Sequence, residues 1–450
     1  MKFGLTPHAM AMTARSLPIL MPRTTEQRYS CHSCAGCCRD FTVQLRPDDL
    51  ARLERQGWTK RLGQSPTVEF RGRVWLRQRE DGACVFLESD GRCRIHAEFG
   101  FEAKPLACQM FPFVPMPGER GVQIGLSYAC PSMIHNRGAE LSSHLDDLRR
   151  LLRGLPELAG AKRRIMLTAR LEASSREERD IINAFERLLG RVDLPMEQRL
   201  DGAVWLTSML HEAKLDQVRD ERLRDLLDLL VDSFEEEIEA RPPEDPTGRQ
   251  MKMLRQVVFA HVEDVKIGDA ARGGLRGRAL RQFWMHRRYG KGAGEVPPFA
   301  RDWPSPLQFE MAEGVAPACD DEQVREIDAL TMRYLRSRII NGRAWGPGYY
   351  AMPIITGLEA LWAMWAATGW LARLHAGACG RRELTMADVE AALLRTDRAA
   401  GRAPWLASRG EQLRLAWLAT NDGLRRLRRA MRLTDEVADA ETDSDDDDGP

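Results

Sequence analysis

CHSCAGCC, residues 31–38, sets four cysteines into eight positions, and two of them, Cys37 and Cys38, are adjacent. Three chemistries crowd thiols in this way: a disulfide framework, a metal or iron–sulfur site, and a redox pair. The chain has 450 residues, enough for two or three domains and for a core that needs no cross-links. The first 30 residues do not read as a secretory signal, because Pro7, Arg15 and Pro18 interrupt their short apolar pieces. The most apolar run, residues 353–374, contains Glu359 and Arg373 and reads as a buried core helix rather than a membrane span. These features predict a cytoplasmic protein, where thiols stay reduced, and that weighs against disulfides.

Eight of the ten cysteines lie between residues 31 and 130, and composition changes near residue 137. Before that point, short alternating stretches read as strands: FTVQL (41–45), TVEFRGRVWL (67–76), ACVFL (83–87) and GVQIGLSY (121–128). RPDDLARLERQGW between them reads as a helix entered through Pro47, with Asp48 and Asp49 at its positive end. After it come amphipathic helices, among them 220–240, 247–265, 321–340, 354–375, 386–396 and 411–432. Ser175 and Glu178 fit a capping box before RDIINAFERLLG. The expected fold class is α+β: a small cysteine-rich metal-binding domain with short strands, followed by a mainly α-helical domain. The expected organisation is an extension (1–27), the cysteine-cluster domain (28–137), a helical region (138–241), a proline-rich linker (242–246), a helical domain (247–433) and an acidic tail (434–450).

Charge is balanced overall, with 66 basic and 66 acidic residues, but residues 435–448 hold nine acids and no base. Such a tail has nothing apolar to bury and should be disordered, screening the basic helix LRRLRRAMR (424–432) before it. Residues 266–291 carry eight Lys or Arg side chains against Asp269, interleaved with Phe283, Trp284 and Tyr289. Nucleic acid could bind such a stretch by phosphate contacts and stacking. An arginine-rich helix with Phe283 and Trp284 in the core is the preferred reading, so nucleic acid is not an expected partner.

The cysteines themselves carry the chemistry. Cys31, Cys34 and Cys37 follow a Cys-x-x-Cys-x-x-Cys run, which lets a loop curl so that successive thiolates converge while backbone N–H groups face the sulfurs. The same run opens bacterial ferredoxin sites, whose fourth ligand precedes a proline, as Cys130 precedes Pro131 here. In extended backbone, adjacent Cys37 and Cys38 would face opposite ways and suit two centres, or leave one thiol outside the first coordination sphere. Cys84, Cys93, Cys108 and Cys130 bring the total to eight, enough for two four-cysteine sites or for one cluster with spare thiols. His32, His96 and His135 lie nearby in sequence but read as ordinary packed or exposed histidines, and isolated Cys319 and Cys379 read as buried thiols. The Cys-x-x-x-Cys-x-x-Cys spacing of radical S-adenosylmethionine sites cannot be laid on this segment.

The run CHSCAGCC, then GACVFLESDGRCRIHAEFGFEAKPLACQMFPF, then SYACP resembles the YkgJ-type cysteine-cluster proteins, a family described as putative zinc- or iron-chelating. Larger relatives in that family are called flagellin lysine-N-methylases. The resemblance covers about residues 28–135 and makes Cys31, Cys34, Cys37, Cys38, Cys84, Cys93, Cys108 and Cys130 the implied ligand set. Lys104–Pro105 stands where the family usually has Arg-Pro. What the resemblance implies is an iron–sulfur cluster or zinc, and S-adenosylmethionine-dependent methylation of lysine on a protein substrate such as flagellin. The alternative is a non-catalytic metal-binding scaffold or redox-sensing module. The glycine-bearing stretches ARGGLRGR (271–278) and NGRAWGPGYY (341–350) make poor methyl-donor loops, and neither catalytic nor donor-binding residues follow from the sequence.

Overall fold

The structure, a computed structural model, describes residues 18–22, 27–70, 72–119, 121–158, 163–263, 275–300, 302–403 and 405–435. Most of the expected extension, residues 264–274 of the basic stretch and the tail beyond residue 435 lie outside the described residues.

The helix Ile354–Ala378 is the axis of the protein. It is apolar around its whole circumference, and nearly every side chain on it is buried, as expected of a helix surrounded by others. No described helix is long and apolar enough to cross a membrane. The helices Met196–Glu212, Gly248–Val262, Met386–Ala399, Arg409–Ala419 and Gly423–Ala430 pack against it. Close approach is built in: a Cβ at Gly369 would stand 2.0 Å from the Met431 carbonyl oxygen. Its two charges have partners, since Glu359 meets His211 Nδ1 at 2.5 Å and Arg373 donates to the Arg432 carbonyl at 2.8 Å. A buried charge without such a partner would be strongly destabilising.

The cysteine-rich third is built from small pieces. Ile19–Leu20 runs parallel to Val122–Leu126, which pairs antiparallel with Phe113–Pro117. The stretch read as one strand over 67–76 is a hairpin, Thr67–Phe70 with Arg73–Leu76, turning through Gly72 at φ 68°. Two other expected strands are reduced to bridges: Gln44 pairs with Trp75, Cys84 with Gln78, and Leu87 with Cys93. Those turns present cysteines, so the backbone there cannot also run straight.

Two main apolar cores result among the described residues. The small one holds Leu45, Leu53, Trp58, Leu76, Phe86 and Ile95. The large one runs from Tyr29 to Leu433 and includes Phe113, Ile124, Tyr128 and Met133 together with the helices. Hydrogen bonds bolt the 127–134 segment to the helical part. Asp397 accepts from Ser127 Oγ and the Ala129 N–H, both at 3.0 Å, and Arg333 donates to the Ile134 carbonyl at 2.9 Å.

Three local readings shift. The capping box before the helix Ser175–Leu189 uses Ser174 and Glu177, one residue earlier than Ser175 and Glu178, because Glu178 turns inward to Arg163 and to Trp345 Nε1 at 2.7 Å. The helix expected over 411–432 breaks at residues 420–422 and restarts at Gly423, where a Cβ would stand 2.5 Å from the Leu418 carbonyl oxygen. Arg425 and Arg428 on that last helix are buried against Asp201 and Glu197, while Arg432 pairs with Asp435 at the start of the acidic tail at 2.7 Å. In the basic stretch, Phe283 and Trp284 are about 60% exposed. That helix packs through His286 and Tyr289 against Phe259, which turns Phe283 and Trp284 outward.

Glu177 gives a test of this packing. Its carboxylate has no exposed surface and accepts from Arg219 Nε at 2.6 Å and Nη2 at 2.8 Å. Those bonds hold it down at about 2 against the opposing effect of burial. A depressed carboxylate stabilises above its unfolded value and loses that contribution as pH falls through the folded one, here between about 4.5 and 2. Glu177→Gln should therefore cost on the order of 3 kcal/mol at pH 7. The gap in urea midpoint from wild type should close as pH falls toward 2; an unchanged gap would contradict the pairing.

Candidate metal centre

The cysteine loops are drawn together by backbone bonds between residues far apart in sequence. Arg28–Tyr29 pairs antiparallel with Ala139–Glu140, and the Ser30 N–H donates to the Arg137 carbonyl at 3.0 Å. This places CHSCAGCC beside the segment carrying Cys130: a Cβ on Gly36 would lie 3.7 Å from both Cys34 Sγ and Pro131 Cδ. The Cys84 N–H donates to the Cys38 carbonyl at 2.7 Å, which ties in the second loop. Cys84, Cys93 and Cys108 pack against the small core, Cys130 belongs to the large one, and Cys38 sits with Ala35, Ala83 and Leu87.

Cys37 is the electrostatic hub. Its thiol is pushed far up, first by a hydrogen bond with Cys38 and then by burial. Cys84 is raised to about 12 by burial, with Cys93 and Cys37 adding to it. Burial raises Cys108 strongly, with contributions from Cys84, Cys37 and Cys93. Cys130 rises to about 11, again by burial first, with Cys34 and Cys37 behind it. Cys34 is raised by burial and then by Cys37 and Cys31; the residue is exposed, but its sulfur lies against Gly36 and Pro131. On one side, Tyr29 is raised by burial and then by Cys31, Cys130, Cys37 and Cys34. On the other, burial works against the charge on Lys104, yet Cys108, Cys93, Cys37 and Cys31 outweigh it and hold the ammonium in place.

All eight cysteines are free thiols with no disulfide among them; Cys34, Cys38, Cys84, Cys108 and Cys130 couple to Cys37, while Cys31 couples to Cys34, and Cys93 to Cys84 and Cys108. Among the described residues, no group of three or more His, Cys, Asp or Glu side chains stands in an arrangement that would hold a metal ion as placed. The thiols lie within electrostatic reach of one another. An all-sulfur donor set suits zinc or an iron–sulfur cluster. Ligation would require the thiols to lose their protons, breaking the Cys37–Cys38 bond, and the side chains to rotate inward. The adjacent pair also departs from the extended-backbone reading: Gly36–Asp40 is a short helix, so both thiols meet on neighbouring sides of it.

The histidines are engaged elsewhere. His32 Nδ1 lies 2.9 Å from Ser132 Oγ, His135 Nε2 lies 3.2 Å from Glu390, and His96 packs edge-on to Phe101. Cys319 and Cys379 are exposed rather than buried.

Two features were hidden in the sequence. One is Lys104, visible only as a substituted residue in KPLAC. The other is a cleft of about 840 Å³ with Cys34, Gly36 and Pro131 on one wall and Tyr289, Arg395 and Arg402 on the other. Its walls come from segments more than 150 residues apart, and no local motif marks them. Arg402 spans the gap, its guanidinium 3.9 Å from the Phe41 ring centroid.

The burial pattern sets an order of thiol reactivity, since the thiolate is the nucleophile. In reduced, chelator-treated protein, exposed Cys31 should be alkylated by iodoacetamide well before Cys84 and Cys108, which should need denaturant. Peptide mass mapping over time reads the order, and equal rates for Cys31 and Cys108 would contradict this placement.

Comparison with known proteins bears on the same segment. An uncharacterized protein of Methanocaldococcus jannaschii, MJ0939, is 37% identical over 87 residues, which is 19% of this chain and 29% of the relative. The chain therefore spans less than a third of that relative's length. No solved structure matches the chain. Residues 30–131 match the model of the CxxCxxCC family, whose description is "putative zinc- or iron-chelating domain".

Proposed function

We propose that Cys31, Cys34, Cys37, Cys38, Cys84, Cys93, Cys108 and Cys130 are the ligand set of a metal centre, an iron–sulfur cluster or zinc. The observation that carries this reading is the convergence of thiols from separate loops on Cys37, with the Lys104 ammonium set against them. Several thiolates in that space repel one another and are poorly solvated. A bound cation removes both penalties at once.

The cleft beside Cys34 favours a catalytic role over a purely structural one. Its volume, about 840 Å³, falls within the range of sites that take substrate-sized molecules. Methylation of a lysine on a protein such as flagellin, with S-adenosylmethionine as donor, suits this site in one physical respect. Arg281, Arg395, Arg398 and Arg402 outnumber the nearby acids Glu263 and Asp302 on the helical wall. An excess of positive charge favours the neutral, nucleophilic amine over the ammonium. The donor supplies the methyl group; the chain's own part is to align the amine and exclude water.

A second reading rests on a different observation. Cys84, Cys93 and Cys108 touch the small core while Cys130 touches the large one, so the metal would also staple the two together. In that case its removal loosens residues 30–131 without any donor chemistry being lost.

Anaerobic purification with iron, sulfide and zinc analysis separates the metals. Cys37→Ser should lower bound metal at least tenfold, whereas Cys319→Ser and Cys379→Ser should leave it unchanged. Saturable S-adenosylmethionine binding by the metal-replete protein, with label passing to lysine, supports catalysis. Full metal content without donor binding leaves the scaffold reading standing alone.

A further inference from the structure

Apart from the metal centre and the cleft, a smaller pocket carries chemistry. A pocket of about 240 Å³ lies between the Phe113–Pro117 strand and the ends of the helices Asp321–Ile340 and Met386–Ala399. Val114, Met116, Ser127, Arg343, Tyr350 and Arg402 line it, together with Asp397, the sole carboxylate among the described lining residues.

The charges around this pocket do not balance. Asp397, 2% exposed, accepts from Ser127 Oγ and the Ala129 N–H at 3.0 Å, from the Tyr334 hydroxyl at 3.2 Å and from Arg338 Nη1 at 3.4 Å. Its charge is matched by Arg338, which is itself 2% exposed. Arg343 is a second buried guanidinium, 6% exposed, and its Nε has no hydrogen-bond partner. Its aliphatic stem is fixed across the sheet: a Cβ on Gly125 would lie 2.6 Å from its Cγ. Arg402 adds a third positive charge at the rim. Burial, and then Arg338, lower Arg343 to about 10, with Asp397 opposing. A buried charge left uncompensated is strongly destabilising, and a buried Nε–H without an acceptor adds to that cost.

We propose that this pocket binds a small organic anion through a carboxylate or phosphate group, with Arg343 as its buried counter-ion and Arg402 at its entrance. Guanidinium groups recognise both oxyanions by paired N–H donation. The volume leaves room for a small body beside the charged group, against Val114, Met116 and the Tyr350 ring. Tyr350 contributes its ring because its hydroxyl already donates to the Ala403 carbonyl at 2.7 Å. The inference does not depend on the metal reading, although Arg402 also lines the cleft.

The test uses the full-length protein and urea unfolding, with inorganic phosphate or acetate titrated against chloride at constant ionic strength. Wild type should be stabilised saturably by at least one of the two, and which one responds identifies the oxyanion class. Arg343→Met should lose that response, with affinity down at least tenfold, while Arg343→Lys keeps part of it. Without added anion, Arg343→Met should unfold at a urea concentration equal to or higher than wild type, because an unmatched charge has gone. Arg402→Gln, at the rim, should weaken the response severalfold with the fold intact. If wild type responds to neither anion, or if Arg343→Met is destabilised equally with and without them, the proposal is overturned.

Discussion

Crowding of ionisable sulfur sets the terms for the N-terminal third. Thiols from four separate loops lie within electrostatic reach of Cys37, and burial makes each harder to ionise than it would be in water. Packing alone gives no reason to assemble them, since a small apolar side chain fills the same space without the proton problem. The protein supplies one ammonium, Lys104, for several potential thiolates. A divalent ion or a cluster is the natural remainder of that charge. It also accounts for the position of the site, between a six-residue apolar core too small to stand alone and the large helical one.

How the sulfurs are held is as informative as where they are. The segment carrying Cys130 is fastened to the helices through Asp397 and Arg333, and the CHSCAGCC loop is fastened to that segment by the Ser30–Arg137 bond. The thiols are therefore tied to the helical part built around the buried helix Ile354–Ala378. Asp397 serves two sites: it fixes the 127–129 backbone next to Cys130, and it sets the charge balance in the anion pocket. Arg402 likewise lines both that pocket and the cleft. Cleft, pocket and sulfur cluster thus share a wall.

The cysteine-rich segment, the α+β class and the long helices were legible because each rests on a local signal: thiol spacing, a composition change, or apolar periodicity. Helix Asp321–Ile340 matches its expected bounds, entered through Asp320, which accepts from two backbone N–H groups. Where local signals were ambiguous, tertiary contacts decided. Ser174 and Ser175 both had a glutamate three residues on, and the demand of Arg163 and Trp345 for Glu178 chose between them. ACVFL has strand composition, yet only Cys84 and Leu87 form isolated bridges, with a turn between them. Cys37 and Cys38 were read as opposed on an assumption of extended backbone that the short helix Gly36–Asp40 removes. The cleft and the anion pocket were illegible for a simpler reason. Their walls join residues hundreds of positions apart, and arginines such as Arg343 and Arg402 look like any others until burial distinguishes them.

Sulfur-coordinated metal in the N-terminal third is the claim on which the rest turns. X-ray absorption at the metal edge of anaerobically purified full-length protein tests it most directly. The account predicts a first shell dominated by sulfur at about 2.3 Å, with an additional iron–iron distance if the centre is a cluster. A shell made only of oxygen and nitrogen, or protein that retains no metal while all eight cysteines remain reduced, would contradict it.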